Sequence, residues 1–160
     1  MLDDIDLKII ELLQKDGRLS HAAIGKETGL TGPSVYARIQ RMEREGIIEG
    51  YTVRLNPEKV GRGLVALVRV DTNNVSGDYT PFERFEEFTR QEPEILECFD
   101  VAGEDSYILK IRTGSPERLR ELLKKIYTLP GVNRTITSIA LATIKEELGG
   151  PLRRDIQKKE

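Results

Sequence analysis

From residue 20 to residue 46, two helix starts and two glycine stops follow one another so closely that few folds can hold them. Ser20 is a side-chain cap for a short helix through Thr28, with Ala23 and Ile24 turned inward, and Gly29-Leu30 supplies a tight turn. Thr31 caps the next helix, whose first turn holds Pro33, where a missing N–H costs nothing. Its inward stripe is Val35, Ile39 and Met42, and Gly46 closes it. A helix precedes the pair. Asp3 or Asp4 caps it, Ile5, Ile9, Leu12 and Leu13 keep helical spacing, and Lys15-Asp16-Gly17 ends it. This pattern predicts a helix-turn-helix. Residues 47–55 are β-prone and broken by Gly50, so a small hairpin, or wing, is expected after it.

Asn56-Pro57 and Gly61-Arg62-Gly63 mark a linker. Gly61, Gly63 and Ala66 spell G-x-G-x-x-A, but a dinucleotide loop needs a strand before and a helix after, and here a strand follows. That reading is rejected. The second half predicts a strand at 64–71, a helix at 80–91 with Phe82, Phe85 and Phe88 on one face, and strands at 95–102 and 107–112. Ser115-Pro116 opens a helix with Leu119, Leu122, Leu123 and Ile126 inside, and a long last strand covers 132–144. The order βαββαβ is ferredoxin-like. Its helices cover one sheet face, and a second copy of the chain is the expected cover for the other. The fold class is therefore α+β. Residues 1–50 form a winged helix-turn-helix domain, 51–63 the wing and linker, 64–148 the ferredoxin-like domain and 149–160 a charged tail.

Bulk charge neither announces nor forbids a nucleic-acid partner. Residues 1–62 hold ten Lys/Arg and ten Asp/Glu, but the acids crowd early while Arg38, Arg41, Arg44 and Arg54 cluster later. A local basic face can hold DNA, because phosphate contact is short-range at cellular salt. No apolar run is long enough to cross a bilayer, and the acidic, helical start does not read as a leader. The single cysteine, Cys98, cannot form an intrachain disulfide, so a cytoplasmic setting is expected. It is expected to pack in a central strand with nothing to activate it. His21 has no second histidine to share a metal. With no phosphate loop, no histidine near a nucleophile and no metal cluster, neither an enzyme nor a cofactor is expected. The sequons at Asn74 and Asn133 carry no meaning in the cytosol.

The segments Leu2-Asp3-Asp4-Ile5-Asp6-Leu7-Lys8-Ile9-Ile10, Gly29-Leu30-Thr31, Ser34-Val35 and Arg38-Ile39-Gln40-Arg41-Met42-Glu43-Arg44-Glu45-Gly46-Ile47-Ile48-Glu49-Gly50-Tyr51 form one signature. Leu129-Pro130-Gly131-Val132 and Thr135-Ile136-Thr137-Ser138-Ile139-Ala140-Leu141 form a second. With both, the chain resembles the Lrp/AsnC, or feast/famine, family of transcription regulators over nearly its whole length. The resemblance implies that 64–148 is an effector-sensing and oligomerisation domain of the RAM, ACT-like kind. It also implies a homodimer paired through the C-terminal sheets, often built into octamers, and control by a small molecule, usually an amino acid.

On the third helix, Ser34, Tyr36 and Gln40 are expected at or near base edges, and Arg41 and Arg44 on the DNA backbone. Arg38 either touches DNA or pairs with an acid such as Asp6. Thr31 at the helix start and Arg54 in the wing are further phosphate candidates. For the effector, the turn Gly103-Glu104-Asp105-Ser106-Tyr107 offers backbone N–H groups to a carboxylate and side-chain carboxylates to an ammonium group. The family's turn reads Gly-x-x-Asp, whereas here Ser106 takes the aspartate position and Asp105 lies one earlier. Thr135, Thr137 and Ser138 match the family's polar strand segment lining the pocket. Two alternatives remain open: an architectural DNA-wrapping protein without effector, and an amino-acid-sensing regulatory subunit of an enzyme.

Overall fold

A computed structural model describes residues 2–73, 79–147, 149, 150 and 152. The charged tail expected at 149–160 falls almost wholly outside the described residues, as does Asn74. The chain divides into two compact units, one running to Arg54 and taking in Glu146, the other spanning Leu55–Lys145.

Three helices build the first unit: α1 (Asp4–Lys15), α2 (His21–Thr28) and α3 (Gly32–Arg44). The sequence caps each start as expected. Asp3 and Asp6 form a reciprocal capping box on α1, the Ser20 hydroxyl accepts from the Ala23 N–H, and Thr31 accepts from the Ser34 N–H. Ile9, Ile24, Val35, Ile39 and Met42 close one core. The turn between α2 and α3 is tight because Gly25 lets the Leu30 carbonyl approach. A Cβ on Gly25 would lie 2.4 Å from that oxygen.

No wing hairpin forms; among the described residues, 45–63 contain no strand. The Ile47 and Ile48 N–H groups instead donate to the Met42 carbonyl, at 2.9 and 3.2 Å. Gly46, left-handed at φ 68°, turns the chain back onto the end of α3 to make this possible. The would-be first strand is thus spent on terminating a helix. Tyr51, Val53 and Leu55 lie outside any helix or strand and are exposed.

The second unit is β1 (Leu64–Thr72), α4 (Thr80–Gln91), β2 (Ile95–Asp100), β3 (Tyr107–Thr113), α5 (Pro116–Tyr127) and β4 (Val132–Ile139). The strands form one antiparallel sheet in the order β2-β3-β1-β4, the ferredoxin-like arrangement. Phe85 of α4 and Leu119, Leu122 and Ile126 of α5 pack on Ala66, Val68, Val70, Leu109 and Ile111. Phe82, Phe88 and Leu123 add to that core from its margin.

Two strands are shorter than the sequence suggests. β2 stops at Asp100, where the hairpin turn begins. β4 stops at Ile139 because its partner ends: Ile139 pairs with Ala66, the Ala140 N–H donates to the Val65 carbonyl, and β1 begins at Leu64. Cys98 is half-buried on β2, which is an edge strand and not a central one. Burial pushes its thiol pKa up, the opposite of activation.

Residues directly paired across strands share a face. Arg69 pairs with Ile108 and Ile136, and Leu67 with Lys110 and Ser138, so these residues make the face away from the helices. Leu67 and Phe99 on it are exposed.

Candidate DNA-binding and effector sites

The capped start of α3 offers a polar edge to solvent. Thr31 and Ser34 are exposed and their hydroxyls lie 2.8 Å apart. Tyr36 is half exposed, its ring tilted on the ring of His21 at 5.4 Å between centroids. Gln40 is half-buried and its amide donates to Glu43 at 2.6 Å, while Glu43 also accepts from the Tyr51 hydroxyl at 2.9 Å. Burial, then Glu43, push the Tyr51 phenol pKa up to about 12. Arg44 is exposed in the last turn. Arg54 donates to the Glu146 carbonyl at 2.9 Å and stands in no wing.

Arg38 and Arg41 are engaged inside the unit. Asp6, whose side chain is fully buried, accepts from Arg38 Nη1 at 2.8 Å and from Arg41 Nη2 at 2.5 Å. Arg38 also reaches Asp3 at 2.6 Å. Burial raises the Asp6 pKa, but the Asp3 N–H and the two guanidinium groups outweigh it and hold the carboxyl below its usual value. Of the two roles open to Arg38, pairing with Asp6 is the one the structure contains. Sequence reasoning did not find the second grip, on Arg41. The legible signal was the Asp3-x-x-Asp6 spacing, which marks a cap and says nothing of a partner on another helix.

In the second unit, the turn between β2 and β3 is held by Ser106. Its N–H donates to the Val70 carbonyl at 2.9 Å, and its hydroxyl accepts from the Thr72 N–H at 3.1 Å. The Thr72 hydroxyl lies 2.8 Å from the same oxygen. Gly103 and Glu104 are exposed. Asp105 faces two cations, Arg69 at 3.4 Å and Arg134 at 3.8 Å, which no sequence motif foretold because only strand register places them together.

Tyr107 does not share the turn's surface. Its ring is buried against Phe85 at 4.5 Å, and burial, aided by Glu86, pushes its phenol pKa up to about 12. The polar segment of β4 is split. Thr135 and Thr137 pair with Val70 and Val68 on the helix side, while Ser138 pairs with Leu67 on the other. The turn therefore gathers Gly103, Glu104, Asp105 and Ser106, and leaves Tyr107, Thr135 and Thr137 on the other side of the sheet from Ser138.

Residues 2–43 match the AsnC-type helix-turn-helix domain, and residues 65–149 match the Lrp/AsnC ligand binding domain. The chain is 38% identical over 146 residues to the leucine-responsive regulatory proteins of Klebsiella pneumoniae and Escherichia coli K12, spanning 91% of this chain and 88% of each relative. A transcriptional regulator of Neisseria meningitidis, solved in complex with L-methionine, is similar at a TM-score of 0.87 and 30% identity, covering 94% of this chain and 97% of that one. The feast or famine regulatory protein of M. tuberculosis, complexed with L-methionine, gives 0.83 and 34%, covering 95% and 100%.

Proposed function

The chain belongs to the Lrp/AsnC family of transcription regulators, and from that premise we propose how its two units divide the work. It is a DNA-binding regulator modulated by a small-molecule effector. α3 enters the major groove start-first, with Ser34, Tyr36 and Gln40 near base edges and Thr31 and Arg44 on phosphates. The observation that carries this is the exposed, hydroxyl-capped start of α3 directly after the Gly29 turn, where N–H groups and a helix dipole favour an anion.

The effector is an amino acid, received at the Gly103–Ser106 turn with Ser138 on the neighbouring sheet face. Tyr107 supports this turn from the core, and Thr135 and Thr137 steady β4. The exposed sheet face carrying Leu67 and Phe99 pairs with a second copy, and dimers assemble further, to an octamer. The setting is cytoplasmic; among the described residues no helix is long and apolar enough to cross a membrane.

A mobility-shift titration on the protein's own upstream DNA, with and without a pooled amino-acid mixture, tests both halves. The expected result is a salt-sensitive shift that the pool alters. No shift at any salt overturns the DNA half. A second reading, architectural DNA wrapping without effector, draws on Asp105, whose carboxylate already faces Arg69 and Arg134 and is not vacant for an ammonium group. Calorimetry against each of the twenty amino acids separates the two: saturable heat supports sensing, and silence supports wrapping.

A further inference from the structure

Among the described residues of the first unit, four charged groups meet where the start of α1 packs on α3. Asp6 is fully buried on α1, yet three charged groups and a backbone N–H converge around it. Arg38 and Arg41, one helical turn apart on α3, both donate to its carboxylate, and Asp3 takes Arg38 from outside. Two arginines against two aspartates leave no net charge. The third arginine of that series, Arg44, is exposed.

Two consequences follow from the geometry. The paired guanidinium groups bolt α3 to the start of α1, so the tilt of α3 is fixed by a charge-assisted contact as well as by the apolar core. They also stand about one-third exposed, at 27% and 35%, so their charge lies close to the surface but is spent internally. A recognition helix with all three arginines free would bind any DNA through phosphates, at the expense of discrimination.

We infer that Asp6 is a positioning residue for sequence-specific DNA binding: it fixes the recognition helix and withholds Arg38 and Arg41 from the phosphate backbone. The inference rests on the assignment of α3 to DNA given above. With Asp6 removed, each released guanidinium group gains a phosphate and steepens the salt dependence of binding by about 0.9. Non-specific binding tightens while specific binding, which needs the tilt, does not.

The test uses the full-length chain and its Asp6→Asn variant. Each is titrated over a range of salt with a duplex enriched by the wild type from a randomised pool and with a shuffled duplex of equal length. Circular dichroism confirms folding. The expected result is a slope steeper by about one to two and a ratio of specific to shuffled affinity at least tenfold lower. A purely structural role would lower the melting temperature and leave slope and ratio unchanged, and that outcome overturns the inference. So does a shallower slope, which would mean that the arginines reach phosphates while paired. Asp3→Asn, which leaves both Asp6 contacts in place, is measured alongside and is expected to leave slope and ratio close to the parent's. If Asp6→Asn does not fold, Arg41→Ala decides: an unchanged slope supports the inference, and a slope shallower by about 0.9 means that Arg41 reaches phosphate while paired and overturns it. A wild-type chain that binds both duplexes equally, or neither, sinks the assignment of α3 itself; a discriminating wild type with an indistinguishable variant sinks only the role of Asp6.

Discussion

Replacing Tyr107 separates a ligand contact from a core residue, because the two roles respond oppositely to losing a hydroxyl and losing a ring. The ring is 3% exposed and lies 4.5 Å from Phe85, which is itself fully buried. Truncating a buried aromatic to alanine costs about 3–5 kcal/mol through lost burial and the cavity left behind. The aromatic pair adds about 0.5–1.5 kcal/mol. Tyr107→Ala is therefore expected to cost about 5 kcal/mol, a large part of the ~5–15 kcal/mol that a domain commonly has. The hydroxyl is a different matter. It donates to Glu86 at 3.5 Å, the outer limit of a hydrogen bond, so Tyr107→Phe is expected to change stability by less than about 1 kcal/mol. Urea denaturation followed by circular dichroism, with amide exchange at Leu109 and Ile111 as a local readout, measures both costs. Calorimetry with the responsive amino acid measures binding. Tyr107→Phe is expected to bind like the parent. If it keeps full stability but loses tenfold or more in affinity, the hydroxyl reaches the ligand and the placement of Tyr107 in the core is refuted.

The Asp6 cluster makes stability depend on pH in a defined direction. Its folded-state pKa is depressed, so its contribution is fully present above the unfolded value of about 3.9 and is lost as pH falls through the folded value. Protection of the α1 and α3 amides against exchange, relative to the unfolded chain at the same pH, should fall below about pH 4, and Asp6→Asn should flatten that part of the profile; an unchanged profile would contradict the pairing. Gly25→Ala places a Cβ 2.4 Å from the Leu30 carbonyl. Overpacking of about 1–3 kcal/mol should outweigh the ~1 kcal/mol helical preference of alanine, so lower stability and weaker DNA binding are expected, and a stabilised variant would show that the turn can open. Arg44→Ala should weaken binding to every duplex and lower the salt slope by about one, whereas Gln40→Ala should alter preference between sequences. Titrations on two duplexes read both, and a parent-like result for each variant would remove α3 from the groove.

Local chemistry decided most of the architecture, and it can be read residue by residue. Ser20, Thr31 and Ser115 each supply a hydroxyl to an N–H three residues on, so those helix starts are written in single side chains. The stripe Val35, Ile39 and Met42 and the stripe Leu119, Leu122 and Ile126 reach the core because helical period alone sets which residues share a face. The apolar run 64–71 likewise forms the strand it predicts, β1.

What stayed illegible depends on where chains end and which elements meet. The run 47–55 is β-prone, yet Ile47 and Ile48 serve the last turn of α3, because a nearby helix carbonyl satisfies their N–H groups without a second strand. β4 stops where β1 has no more backbone to pair, a length that belongs to the partner. Register puts Ser138 on one face and Thr135 and Thr137 on the other, and gathers Arg69 and Arg134 around Asp105. Asp6 is the clearest case. Its place at the third helical position, closing the capping box with Asp3, depends on local sequence alone, since a capping box needs only four consecutive residues. Only the crossing of α1 and α3 made it the anchor of two arginines, because burial and an opposite charge within reach are properties of the packed helices and not of any local stretch of chain.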